Sequence, residues 1–205
     1  MDENENIWCA AVDIETTGLN ANEEVPLEIG IKLIDKEGFV FAECAWLVYE
    51  DTSRYEKLIY AAKDHKIVGP MHDNSGLWRD LQIVAENGIL EDYSRESVDE
   101  QICDWLTDKD VRFGTLPMFG NSTGSLDRPF TLVHFPKFNE ALSYRNVDIS
   151  SVKELCKANN PTLFENLKSI IGSKEDAPHR VLGDLDACIT EYRAYRENFF
   201  FLEED

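Results

Sequence analysis

Apolar residues from Ile7 to Val12 run into the stretch Asp13-Ile14-Glu15-Thr16-Thr17-Gly18-Leu19. The pattern predicts a buried strand over residues 7–15 that ends on two carboxylates. Positions i and i+2 of a strand share a face, so Asp13 and Glu15 project together. Two like charges so placed repel. A fold keeps them when a cation neutralises the pair or when one carboxyl holds its proton; taken alone, the pair reads as a strand end with solvated acids. Ile29, Ile31 and Leu33 alternate within Leu27–Asp35 and predict a second strand. After a turn at Lys36-Glu37-Gly38, Phe39–Tyr49 reads as a third. The short links make these an antiparallel meander. Glu28, at the start of the second strand, is read as solvated.

The period then changes. Tyr55, Leu58, Ile59 and Ala62 recur at helix spacing from Ser53, and Gly69-Pro70 is expected to break the helix. A second helix follows His72–Gly76, with Leu77, Leu81, Val84 and Ala85 on one face, Trp78 in the core and Gly88 as the stop. A third spans Ser97–Asp108 and buries Val98, Ile102, Trp105 and Leu106. Leu116–Phe119 reads as a short buried strand, and Gly120–Ser125 as a polar loop. Asp127-Arg128-Pro129 opens a helix, because Asp suits the N-cap and Pro the first turn. Asn146–Ser150 reads as extended, Ser151–Ala158 as helical, and Pro161 as the start of another short helix. The last helix runs from near Leu182 to about Phe200 on a stripe of Leu185, Ile189, Tyr192 and Tyr195, and Glu203–Asp205 reads as a frayed tail. No repeat, low-complexity segment or linker divides the chain, so residues 1–205 are expected to form one domain.

Charge narrows the function. Forty acidic against twenty basic residues give a net charge of −20. Proteins that track long nucleic acids carry basic grooves, because phosphate contacts dominate affinity. This surface repels a polyanion. Any nucleic-acid substrate is therefore expected to be short, with cations supplying the positive charge; on charge alone, a protein with no nucleic-acid role fits equally. No apolar run approaches the roughly 20 residues of a membrane helix, and the acidic Met1–Asn6 is the opposite of a signal or transit peptide. Five dispersed cysteines without a CxxC suit free thiols in a reducing cytoplasm and argue against a structural zinc site.

Four segments, in order, carry a resemblance: Asp13-Ile14-Glu15-Thr16-Thr17-Gly18-Leu19; Gly120-Asn121-Ser122 with Asp127-Arg128-Pro129-Phe130; Tyr144 to Leu155; and His179-Arg180-Val181-Leu182-Gly183-Asp184. The closing Glu191–Phe200 fits as well. The chain resembles the DEDDh (DnaQ-like) 3′–5′ exonuclease superfamily and, within it, the oligoribonuclease family. The resemblance implies an α/β, ribonuclease H-like fold: a central mixed sheet, three antiparallel strands plus further strands, flanked by helices. It implies Asp13, Glu15, Asp127 and Asp184 as ligands of two divalent cations, Mg²⁺ or Mn²⁺, with Asp13 between them and His179 as general base. Residues five apart on a helix lie about 140° apart, so His179 is expected on the loop before the last helix and Asp184 in its first turn, with Pro178 suiting that loop. Singly, His179 reads as a solvated loop histidine and Asp184 as an acid favoured by a helix N-terminus.

The resemblance further implies a cap of Ser122, Arg145, Ser150 and Ser151 over the 5′ phosphate of a dinucleotide RNA, and Leu19 against the terminal base. Tyr144 would reach the base from a partner subunit, which implies a homodimer. Three departures stand out. Residues 64–71 lack the tryptophan the family carries before the helix near His72, so another residue such as Met71 is expected to take its place. Ser125-Leu126 lengthens the loop before Asp127, and Gly183 stands where the family usually has Asp. The competing expectations are a DEDDh exonuclease for longer single-stranded RNA or DNA, which would need a basic or aromatic track, and a non-catalytic nucleotide-binding module on the same fold.

Overall fold

A computed structural model describes residues 6–171 and 179–200. Strands β1 (Cys9–Thr16), β2 (Pro26–Ile34) and β3 (Val40–Leu47) form the meander, joined by β4 (Met118–Gly120) and β5 (Asn146–Asp148). The sheet order is β3-β2-β1-β4-β5. The pairs β1–β2 and β2–β3 are antiparallel, whereas β1–β4 and β4–β5 are parallel. The helices are α1 (Ser53–Asp64), α2 (Val68–Asn74), α3 (Leu77–Asn87), α4 (Arg95–Asp108), α5 (Asp127–His134), α6 (Pro136–Ala141), α7 (Ile149–Asn159), α8 (Pro161–Ile171) and α9 (Val181–Tyr195), the last continued by a π-helical turn over Arg196–Phe200. Helices cover both faces of the mixed sheet, as the ribonuclease H-like expectation requires.

The alternation in β1 decides what each layer holds. Ala10, Val12 and Ile14 pack with Val98, Ile102 and Leu106 of α4 and with Phe130 and Phe138. Cys9 and Ala11 face the other way, onto Leu185, Cys188 and Ile189 of α9 and Ile149 and Cys156 of α7. Asp13 and Glu15 share this second face and so point toward α9. A third cluster joins Val25 and Leu27 to Tyr55, Leu77, Trp78 and Leu81, so Trp78 is in the core as expected.

Several boundaries differ from the pattern. Gly69 and Pro70 lie inside α2 and do not break it. Pro70 is in the first turn, where its missing N–H forfeits no intrahelical bond. Gly69 passes so close to α1 that a β-carbon there would lie 2.2 Å from Lys63 O. Asp127 is the first residue of α5, with Leu126 at the cap position, and α4 starts two residues early because Ser94 Oγ accepts from Ser97 N. Leu116 precedes the short strand. Glu28 is not solvated: it is 4% exposed and paired, as described below. Pro178 and Glu203–Asp205 lie outside the described residues. Among the described residues, no helix is long and apolar enough to cross a membrane.

Two glycines set how closely the site-bearing elements approach. A β-carbon on Gly30 of β2 would lie 2.6 Å from Val181 Cγ2, so the missing side chain lets α9 start against the sheet directly beside Asp13, the register partner of Gly30. A β-carbon on Gly120 would meet Val12 O at 2.8 Å. Gly30→Ala is therefore expected to cost about 1–3 kcal/mol by overpacking, and Val181→Ala in the same chain to recover part of it. Thermal melts of the two variants check this; a Gly30→Ala melt at the wild-type temperature contradicts it.

Candidate active site

Three carboxylates converge. Asp13 and Glu15 project from β1, and Asp184 stands in the first turn of α9. One oxygen of each lies within 4.8 Å of the others. Asp127 is outside that triplet but close enough to Asp13 to feel its charge. It is 1% exposed, and its Oδ2 is buried without a hydrogen-bond partner.

This crowding has an electrostatic cost. Burial, then repulsion from Asp13, Asp184 and Glu28, pushes the Glu15 carboxyl up to about 9, against the pull of Arg180. Burial and then Asp13 likewise hold the Asp127 carboxyl well above its ordinary range, although backbone hydrogen bonds at Asp127 and Ile14 oppose them. Without a counter-charge the cluster keeps protons. An all-oxygen donor set, crowded and with one orphaned buried oxygen, fits hard divalent cations such as Mg²⁺ or Mn²⁺.

His179 precedes α9 in a left-handed backbone conformation, φ 45°. It lines a cleft of about 240 Å³ with Asp13, Asn121, Ser122, Leu126 and Asp184. The loop position of His179 and the first-turn position of Asp184 agree with the helix-period argument. Between His179 and α9, Arg180 donates to both oxygens of Glu28 (2.9 and 2.7 Å) and to Asp80 Oδ2 (2.8 Å). Glu28 is the register partner of Glu15. Sequence reading missed this clamp because its partners lie 152 and 100 positions away in the chain. His72 is also wholly buried; its Nε2 lies 3.2 Å from Thr16 O and its Nδ1 3.8 Å from Glu15 Oε2. Burial lowers its pKa, so the neutral ring donates from Nε2 to Thr16.

The cap residues are brought together in part. Ser122, at φ 60°, has its N–H 3.1 Å from Ser150 Oγ and 3.3 Å from Asp148 Oδ1. Asp148 caps α7 by accepting from the N–H groups of Ser150 (2.9 Å) and Ser151 (3.4 Å). Arg145 and Tyr144 stand exposed on the preceding loop, the guanidinium 5.0 Å from the tyrosine ring centre. That loop is ordered by Arg128, which donates to Ser143 O, Arg145 O and Asn146 Oδ1. Leu19, 81% exposed, lines an apolar groove of about 680 Å³ with Leu58, Ile67, Val68 and Met71; Leu126 borders both groove and cleft. Ile67 had no sequence signal: with Val68 it is a short apolar pair, and only the fold places it with Leu19 in one groove.

No family model matches the chain. Among curated proteins it is 32% identical over 199 residues to the oligoribonuclease of Shewanella loihica, covering 97% of each chain. It is 31% identical to that of Marinobacter nauticus over 96% of each. The chain belongs to the oligoribonuclease family. The mouse mitochondrial oligoribonuclease is more distant, 28% identical over 97% of this chain and 75% of that one. In three dimensions this family member superposes on exonuclease I of Methylocaldum szegediense with a TM-score of 0.61 at 17% identity, and on Escherichia coli exonuclease I bound to a dA16 oligonucleotide at 0.58 and 14%. It covers 93% of its own length in both but only 41% of theirs. These likenesses bear on the fold alone.

A pH dependence follows from the raised Glu15 pKa. Its folded value, about 9, exceeds the ordinary 4.5, so between them the folded state binds the extra proton. Stability then falls as pH rises through that window. With chelator present, the melting temperature of the wild type is expected to drop between pH 6 and pH 9, Glu15→Gln to flatten the drop, and Mn²⁺ to abolish it. A wild-type melt that is flat or rises with pH contradicts the assignment.

Proposed function

We propose that this protein is a 3′–5′ exoribonuclease that requires two divalent cations and hydrolyses very short RNA, with diribonucleotides as its preferred substrate. Membership of the oligoribonuclease family makes it a nuclease of the DEDDh class. The observation that carries the finer reading is the convergence of Asp13, Glu15 and Asp184 within 4.8 Å, on a cleft that His179 also lines. Asp13, Glu15, Asp127 and Asp184 are the residues to hold Mg²⁺ or Mn²⁺. When bound, such ions stabilise both the attacking and the leaving oxygen of an in-line displacement.

The chain's own groups supply the rest. The His179 ring lines the cleft beside Asp13 and Asp184, where it takes a proton from the attacking water onto a ring nitrogen. The water oxygen bonds to phosphorus, the P–O3′ bond breaks, and O3′ takes a proton from solvent while His179 gives its proton back to solvent. A 5′-phosphorylated dinucleotide thus yields two 5′-mononucleotides. Ser122, Ser150, Ser151 and Arg145 bind the 5′ phosphate, hydroxyls and a guanidinium being sound phosphate donors. The apolar groove takes the terminal base between Leu19 and the aliphatic pair Ile67 and Met71, in place of the family's tryptophan.

The exposed Tyr144 supports a homodimer in which it reaches the partner's substrate, together with Leu132 and Val133, which are exposed on α5. We read the protein as cytoplasmic, with residues 1–205 as one catalytic domain. Arg145 lies over Tyr144, and a closed cap requires its guanidinium to engage the 5′ phosphate together with the serines. A cap that stays open would admit longer RNA or DNA.

Hydrolysis of 5′-phosphorylated RNAs of two, three, five and seven nucleotides, with Mn²⁺ or Mg²⁺ and an Asp13→Ala control, decides between the readings. Fast cleavage of the shortest substrate alone is expected. Comparable rates at every length would favour a general exonuclease, and no metal-dependent cleavage a binding module. Arg145→Ala removes a charge-assisted phosphate contact of about 1.5–3 kcal/mol. It is expected to weaken dinucleotide binding at least tenfold, read as KM.

A further inference from the structure

We infer that Arg180 is a positioning residue of the catalytic centre: clamped between Glu28 and Asp80, it seats His179 and the first turn of α9 against the carboxylates of β1. The inference rests on the proposed role of His179. Arg180 touches none of the cleft; its partners are Glu28 of β2, 5% exposed at the side chain, and Asp80 of α3. Three elements therefore meet on one guanidinium, with both Glu28 oxygens engaged at 2.9 and 2.7 Å. A planar fork of this kind sets orientation as well as distance.

Backbone geometry transmits that hold. Arg180 is extended, φ −133° and ψ 138°, and it is joined by one rigid peptide to His179, which lines the cleft. Anchoring the guanidinium between β2 and α3 therefore fixes the backbone from which the His179 side chain projects. His179 itself is in the left-handed region, φ 45°, which a non-glycine residue holds only when its surroundings impose it. Val181 N lies 3.5 Å from Glu28 Oε2 and Val181 Cγ2 fills the space Gly30 leaves, so Val181, next to Arg180 in the chain, is fixed on the sheet. Asp184 N donates to Arg180 O at 3.0 Å, which ties the first turn of α9 to the same residue.

A plain structural ion pair would also stabilise the fold, so the test needs readouts that such a pair would not move. In Arg180→Ala, assayed on a dinucleotide well below the melting temperature, kcat is expected to fall on the order of tenfold to a hundredfold with KM nearly unchanged. Millimolar guanidinium, but not ammonium, is expected to restore part of kcat by refilling the site between Glu28 and Asp80. The His179 ring resonances should broaden in the variant and sharpen on adding guanidinium. Arg180→Lys, which keeps the charge but not the fork, should keep most of the melting temperature yet lose kcat. If Arg180→Ala does not fold, Arg180→Met with Glu28→Gln removes the unpaired buried charge and carries the kcat-against-KM and ring-resonance readouts, the guanidinium readout being confined to Arg180→Ala. Lys137→Gln, which breaks a surface pair with Glu100, should leave the rate alone. Unchanged kcat in folded Arg180 variants, or no response to guanidinium, overturns the positioning role. If His179→Ala remains active, the assignment of the base fails instead.

Discussion

Mutual repulsion among buried and half-buried carboxylates is the constraint on which this structure turns. Asp13 and Glu15 meet Asp184 within a few ångströms, and Asp127 is nearly sealed beside Asp13. Folding alone would push such groups apart or leave them protonated. What holds them is a set of local concessions: Gly30 lets α9 lie on β2, Gly120 lets β4 lie close to β1, and Arg180 neutralises Glu28, the acid opposite Glu15. A further acid of α9, Asp186, is drawn off by the buried Lys32 at 2.5 Å, and so is Glu43 at 2.7 Å. The fold gives cations of its own to acids around the cluster: Arg180 to Glu28, and Lys32 to Glu43 and Asp186.

The same logic fits the proposed reading of so acidic a protein as an RNA hydrolase. The binding groups proposed for it are few and short-ranged: three serines on a loop and a helix start, one arginine, and an apolar groove. None of these builds a track along which a polyanion could slide. The Glu50–Arg95–His134 chain supports the site from the far side. His134 Nε2 donates to Ala21 O at 2.8 Å while its Nδ1 accepts from Arg95 at 2.8 Å. That pairing, with burial and Arg95 lowering the His134 pKa to about 4, keeps the ring neutral and holds the loop that carries Leu19.

Features with a short sequence period were legible before the structure. The two-residue period of β1 put Asp13 and Glu15 on one face, and the helix period excluded His179 from the helix that carries Asp184. The three-stranded meander and most helix stripes followed likewise. What depended on distant partners was not legible. Glu28 read as solvated because nothing near it in sequence announces Arg180. Gly69-Pro70 read as a break because its place in the first turn of α2 depends on how tightly α1 and α2 pack. Ile67 became a groove residue only when the fold set it near Leu19. The motif residues Ser122 and Ser150 were read as cap members, but their tie through Asp148 comes from the parallel register of β4 and β5.

The proposal that the carboxylate cluster binds two divalent ions in exchange for protons is tested most directly by titration calorimetry of Mn²⁺ into the metal-free protein near neutral pH, in two buffers of different ionisation enthalpy. The account predicts binding of two ions accompanied by proton release, with the release reduced in Glu15→Gln. Binding without proton release, or no binding at all, would contradict it.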